Sequence, residues 1–313
     1  MLLEITHDTH YSYDPNVEIA QHLAHLKPAE TSTQKILKSN IHIDPSPAWQ
    51  DQSIDNYGNI CDFFSLQNRH RELTISVQSL VETLPRQTQA PDPNKTPSWE
   101  AVREYFRYHS GTRWEAASEF LFASPFAPIR SEFAEFARVN FTPNRPILEA
   151  AIDLMRRIHS EFHYVSKSTD IDTPAHEALK KREGVCQDFS HILIASLRNL
   201  GLPAKYISGY ILTNPPPGQP RLIGGDASHA WAAVYIPRLN DQGQLTSGFW
   251  CDLDPTNNRW GIDSPGEDYV HLAQGRDYGD VSPIKGVIHG GADHKMNVAV
   301  TVMPAEQLGI GNQ

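Results

Sequence analysis

Residues 184–201 read Gly-Val-Cys-Gln-Asp-Phe-Ser-His-Ile-Leu-Ile-Ala-Ser-Leu-Arg-Asn-Leu-Gly. Phe189, Leu193, Ser196, Leu197 and Leu200 mark one face of a helix, and Gly201 supplies its C-terminal stop. The apolar pattern starts only three residues after Cys186, so the cysteine stands where the chain turns into the helix. Backbone N–H groups and the helix dipole stabilise negative charge at such a position. The thiolate is the form of cysteine that attacks carbonyls, and the same N–H groups can receive the oxyanion formed by that attack. A lone cysteine is more often a small buried hydrophobe, so the motif needs partners elsewhere in the chain.

Strands follow the helix at about 204–212, 230–236 and 249–253, with a late one at 297–302. His229 opens the second of them, His229-Ala230-Trp231-Ala232-Ala233-Val234-Tyr235-Ile236, after a loop rich in glycine and proline. A histidine at a strand end is held by the sheet yet open to a cleft, as a proton shuttle requires. The bland alternative is a hydrogen-bonded histidine at a sheet edge, one of fifteen in the chain. His191 lies nearer in sequence, but five helical residues turn it about 140° away from Cys186. A third group is needed to hold the imidazole in one tautomer. Trp250-Cys251-Asp252-Leu253-Asp254-Pro255-Thr256-Asn257 offers two carboxylates on one strand face, with Cys251 pointing the other way. Asp254 is at the strand end before proline, where turn aspartates are also common. Spacing alone does not choose between Asp252 and Asp254.

Working back toward the N-terminus, the first 86 residues read as a β-sandwich domain. Ile41 and Ile43, then Leu73, Ile75 and Val77, alternate with polar neighbours. Asp55-Asn56-Tyr57-Gly58-Asn59 has turn chemistry between two such runs. Residues 87–97 (QTQAPDPNKTP) form a Pro-rich linker. A helical connecting region spans 98–145, with Trp99, Val102, Tyr105 and Phe106 at helical spacing. Leu148, Ala151, Ile152, Met155, Ile158 and Phe162 open a core assigned to 146–313, including the C-terminal strands. Thr173-Pro174 reads as an N-cap followed by proline at the first helical position. A helix followed by successive strands gives an α+β class, not a doubly wound parallel sheet.

Bulk properties narrow the function. The chain has 313 residues, 39% hydrophobic and 20% charged, with a formal net charge of -10. That balance suits a folded domain and argues against nucleic-acid binding, which needs a basic face. No stretch approaches a membrane span, and MLLEITHDTHYSYD has no basic region followed by an apolar run. The expected location is the cytoplasm. Three cysteines, Cys61, Cys186 and Cys251, are too scattered for a disulfide framework or a zinc site. His22-x-x-His25 has ligand-like spacing but no third ligand set nearby, and there is no HExxH helix. No acidic loop of the calcium-binding pattern is present. No cofactor or metal is expected.

Three ordered segments then carry a resemblance: GVCQDFSHILIASLRNLGLPAKYISGYI, ASHAWAAVYIP and DLDPTNN. With HLAQGRDYGDVSPIKGVIHGG near the C-terminus and ITHDTHYSYD and HLKP near the N-terminus, the chain resembles bacterial members of the transglutaminase-like superfamily. The likeness covers nearly the whole chain and is most specific over 164–291. It implies a papain-like fold, with the cysteine helix packed on an antiparallel sheet and preceded by a β-domain. It also implies Cys186 as nucleophile, His229 as general base and acid, and Asp254, 25 residues after His229, as the group orienting the histidine. The chemistry implied is acyl transfer on an amide or (iso)peptide bond through a thioester, ending in hydrolysis by water as the default acceptor; the alternatives are transamidation and a non-catalytic interaction module with the same fold. The partner is then a peptide, protein or small amide substrate. Tyr164 and Trp231 are candidates to complete the oxyanion hole or line the cleft. Relatives commonly have a simpler strand where this chain has Trp250-Cys251-Asp252-Leu253, so Cys251 is read as a plain buried thiol. The loop 213–226 (TNPPPGQPRLIGGD) is long enough for a lid over the cleft.

Overall fold

A computed structural model describes residues 1–85, 91–111, 114–166, 173–213, 228–290 and 293–305. The N-terminal part is β throughout. Strand β1 (Leu2–Ala24) is followed by β2 (Gln34–Asp44), β3 (Trp49–Ile54), β4 (Ile60–Leu66) and β5 (His70–Thr83), in the order β2-β5-β1-β4-β3. The first half of β1 pairs with β5, and its second half pairs with β4. One strand therefore serves two layers, and Ile43, Leu73, Ile75 and Val77 of one layer bury against Ala20, Phe64 and Leu66 of the other. The alternation read in the sequence is this inward face. Asp55 makes the turn between β3 and β4 by accepting from the N–H groups of Tyr57 and Asn59, while Gly58 takes a φ of 85°.

Within 87–97, residues 87–90 lie outside the described residues, and Pro93–Lys95 form one 3₁₀ turn. Helix α1 (Trp99–Tyr105) is capped by the Ser98 hydroxyl. A second 3₁₀ segment, Ala116–Leu121, leads to α2 (Ser131–Arg138) and α3 (Ile147–Glu161). Short strand β6 (His163–Tyr164), helix α4 (Ala175–Lys181), β7 (Glu183–Gly184) and α5 (Cys186–Asn199) come next. The α4 boundary differs by one residue from expectation: Pro174 has extended backbone and is itself the N-cap, so Thr173 stands outside the helix.

The second unit is built on a five-stranded antiparallel sheet of β8 (Ala204–Ile211), β9 (Ser228–Leu239), β10 (Leu245–Asp254), β11 (Arg259–Ile262) and β12 (Tyr269–Gly275). Its order is β11-β10-β9-β8-β12. Helix α5 lies on this sheet and is covered on its other side by α2, α3 and α4. It is consequently buried all round from Asp188 to Arg198, and not on one face as its pattern suggests. Gly201, at φ 79°, ends it: its N–H reaches the Arg198 carbonyl and that of Leu202 reaches Leu197. The α+β class and the papain-like packing of the cysteine helix on an antiparallel sheet are as expected.

The C-terminal strands depart from the expected boundary. After α6 (Tyr278–Val281), β13 (Ile284–Gly290) and β14 (Asp293–Pro304) do not join the five-stranded sheet. They pair with β1, β13 along its second half and β14 along its first. Pairing at that sequence distance leaves no local signature. Leu3, Ile5, Val81, Val300 and Val302 from this sheet bury against Tyr210, Val270 and Leu272 of the other. The free edge of β12 is closed by two side-chain amides. Gln34 donates to the His271 carbonyl and accepts from its N–H, and Asn59 does the same with Gln274. Unpaired edge groups are thus satisfied without a further strand.

Candidate active site

The turn into α5 is built by backbone constraints. Arg182 ends α4 in the left-handed region at φ 59°. Residues 183–184 then pair in parallel with β6, setting Tyr164 opposite Gly184. A Cβ at Gly184 would fall 2.7 Å from the Asp188 side chain, so only glycine lets that carboxylate fold back. Asp188 accepts from the Val185 N–H at 2.8 Å, binding the residue just before the helix. Cys186 follows as the first helical residue, half-buried against the core. The N–H groups of this first turn lie outside the i→i−4 ladder and are the natural receptors for an anion.

His229 is on β9, a strand away from β10 and its Asp254, and its Nε2–H donates to Asp254 Oδ2 at 2.7 Å. An ionised carboxylate only accepts, which fixes the direction of that bond. With Nε2 committed, Nδ1 is the nitrogen left to serve sulfur. Burial by itself would lower the histidine pKa. The bond to Asp254 and the nearby Cys186 outweigh it, raising the pKa from 6.5 to about 10. The imidazole therefore carries a proton at neutral pH.

Asp254 is fully buried and has its acceptor capacity filled. Oδ2 receives His229, the Tyr269 hydroxyl at 2.7 Å and the Asn257 amide at 2.8 Å; Oδ1 receives the N–H groups of Thr256 and Asn257. Burial disfavours its charge, but these bonds hold its carboxyl below the usual range. Asn257 and Tyr269 were not among the expected site residues. Asn257 had a signal, since Asp-Pro-Thr-Asn is a turn in which the aspartate grips the next amides. Tyr269 had none, because β12 brings it from the far edge of the sheet.

The other candidates are placed as follows. Asp252 accepts from the Trp231 indole N–H at 2.7 Å, and so is engaged away from His229. Trp231 is thereby excluded as the second oxyanion donor: its one donor is spent, and it is buried with its ring beside His229 at 6.0 Å. A Cβ at Gly209 would lie 2.5 Å from that ring, so glycine is what lets the indole lie flat on β8. Tyr164 is exposed, edge-on to Phe189, and its hydroxyl pKa is raised by partial burial and by the nearby Cys186 and Asp188. His191 is buried, stacked between Phe126 and Tyr206, and accepts from the Tyr278 N–H. Cys251 is buried in the core beneath α5, its thiol directed at the Asp252 carbonyl at 3.9 Å. Of the expected lid 213–226, all but Thr213 lies outside the described residues. Among the described residues no helix is long and apolar enough to cross a membrane.

Residues 3–82 match the bacterial transglutaminase-like N-terminal region and residues 136–255 the transglutaminase-like superfamily. An uncharacterized protein of Mycobacterium tuberculosis strain H37Rv is 38% identical over 309 residues, covering 96% of this chain and 92% of that protein. An uncharacterized protein of Mycobacterium leprae is 26% identical over 306 residues, covering 96% and 98%. The crystal structure of a provisionally named cysteine protease from Cytophaga hutchinsonii superposes with a TM-score of 0.71 at 19% identity, covering 97% of this chain and 91% of that one. At that identity the likeness is one of fold. A β-domain fused to a cysteine helix on an antiparallel sheet, matched over nearly its full length, shows that the chain belongs to the transglutaminase-like superfamily.

Proposed function

We propose that the protein is a cysteine-nucleophile acyl-transfer enzyme that hydrolyses an amide or (iso)peptide bond. The observation that carries this reading is one imidazole bonded to a buried, fully satisfied Asp254, with Cys186 near enough to help raise its pKa. Transfer of the sulfur's proton to His229 gives the thiolate–imidazolium pair that attacks. The thiolate adds to the substrate carbonyl, and the oxyanion faces the first-turn amides of α5. His229 gives its proton to the departing amine, the C–N bond breaks and a thioester remains. Neutral His229 then takes a proton from water as it attacks, releasing the acid and regenerating the pair. Asp254 keeps the ring in one tautomer and supports its charge at each stage. An amine replacing water gives transamidation by the same steps.

The substrate class is a peptide, protein or small amide, and the site of action is the cytoplasm. The test is turnover of glutamine- and lysine-containing peptides, followed by mass spectrometry with and without an added primary amine. Wild-type protein should release ammonia or a cleaved amine, with the acid as main product, and Cys186→Ala should release none. Turnover that survives in Cys186→Ala defeats the proposal, and a product carrying the added amine in preference to the acid replaces hydrolysis with transamidation.

A further inference from the structure

His25, Asp55 and Cys61 meet far from Cys186, where the β-domain joins the rest of the chain. The imidazole nitrogen, carboxylate oxygen and sulfur lie within 4.8 Å of one another. The sequence gives no hint of this, because the ligand-like pair His22-x-x-His25 does not converge. His22 turns to Phe64 and Tyr11 instead. His25 follows directly on the register that pairs Ala24 with Asp62, so Cys61 falls opposite it. Asp55 comes from the turn that closes β3 and β4.

Three features suit these groups to a metal ion. The Nδ1–H of His25 donates to the Ser282 carbonyl at 3.1 Å, which fixes the tautomer and leaves the Nε2 lone pair free to face Asp55 at 4.0 Å. This is the arrangement that ligating histidines adopt. Asp55 Oδ1 is held by two backbone amides and Oδ2 by the Asn59 amide, so the carboxylate is fixed in place. His25 and Cys61 are almost fully buried, whereas Asp55 is partly open to solvent and gives an entry side. Tetrahedral zinc sets its donor atoms about 3.3–3.8 Å apart, so the three need close by at most about 1.5 Å.

We propose that His25, Asp55 and Cys61 bind one zinc-class divalent ion, with water in the fourth position. Thiolate and carboxylate together neutralise the ion, and the neutral imidazole completes a borderline-soft donor set. The Cys61 S–H bond breaks as the sulfur–metal bond forms, and its proton leaves to solvent. Asp62 and Asp280 favour the cation and Lys285 opposes it. Through the His25–Ser282 bond, the ion ties β1 and the β3–β4 turn to the segment leading into β13.

The test uses tag-free, full-length protein carrying Cys186→Ala, which removes the one cysteine that is not buried. Titration with cobalt(II) should give a thiolate-to-cobalt charge-transfer band saturating at one equivalent, with one proton released per ion, and zinc should displace it. Cys61→Ser in that background should abolish the band, and His25→Gln should weaken binding by at least about tenfold. Circular dichroism of each variant separates lost ligation from lost fold, and if Cys61→Ser is insoluble the His25→Gln titration decides. No band at micromolar cobalt, a band that persists in Cys61→Ser, or unchanged affinity in His25→Gln overturns the site.

Discussion

His229 Nε2 lies 2.7 Å from Oδ2 of Asp254, a carboxylate with no exposed surface. A charge so buried is tolerable only because five donors surround it. Asp254→Asn keeps the shape but turns an acceptor into a mixed group that no longer favours the imidazolium. The variant should stay folded and lose at least about 10²–10⁴-fold in acyl-transfer rate, as expected for a wrongly held imidazole. Steady-state kinetics of the purified variant checks it; a loss below tenfold contradicts the role.

Tyr269→Phe removes one of those donors without changing ring packing against Trp231. A hydrogen bond to a buried charge contributes about 1.5–3 kcal/mol. The variant should melt earlier by that amount in denaturant titration, and its rate should fall less than in Asp254→Asn.

The raised His229 pKa has a signed consequence for stability. The folded protein holds this proton up to about pH 10, whereas an unfolded histidine gives it up near 6.5. Its stabilisation is therefore complete below pH 6.5 and disappears as pH rises through about 10. Melting temperature should fall over that window more steeply in wild type than in His229→Gln. Acyl transfer should fail over the alkaline part of it, where the proton donor is lost. Parallel melting curves for the two proteins from pH 6.5 to 10 contradict the assignment.

How much of this was written in the sequence depends on sequence distance. The helix start at Cys186, the strand-end position of His229 and the shared face of Asp252 and Asp254 follow from local periods of 3.6 and 2. The choice between the two carboxylates does not, because both point the same way; the Trp231 indole settles it by taking Asp252. Tyr269 reaching Asp254, β14 pairing with β1 and Cys61 lying beside His25 are all products of long-range strand pairing. Periodicity says which face a residue occupies and is silent on which strand will lie alongside. The all-round burial of α5 was hidden for a related reason: Ser190, His191 and Arg198 look solvent-facing until α2, α3 and the segment after β12 cover them.

Gln34 offers a test of how the two sheets hold together. It bonds both backbone groups of His271 at the β12 edge and is itself buried. Gln34→Ala should leave those groups unpaired and cost about 1–3 kcal/mol. Denaturant unfolding followed by fluorescence should show it, with the site chemistry little changed.

The most direct measurement is the rate at which iodoacetamide alkylates Cys186 at pH 7 in wild type and in His229→Ala, read by mass spectrometry of the peptide containing it. Cys61 and Cys251 are buried and serve as internal controls. If His229 sustains the reactive sulfur, alkylation in the variant should slow by at least about tenfold. Equal rates in the two proteins would show that the imidazole does not activate the thiol, and the proposed chemistry would fall with it.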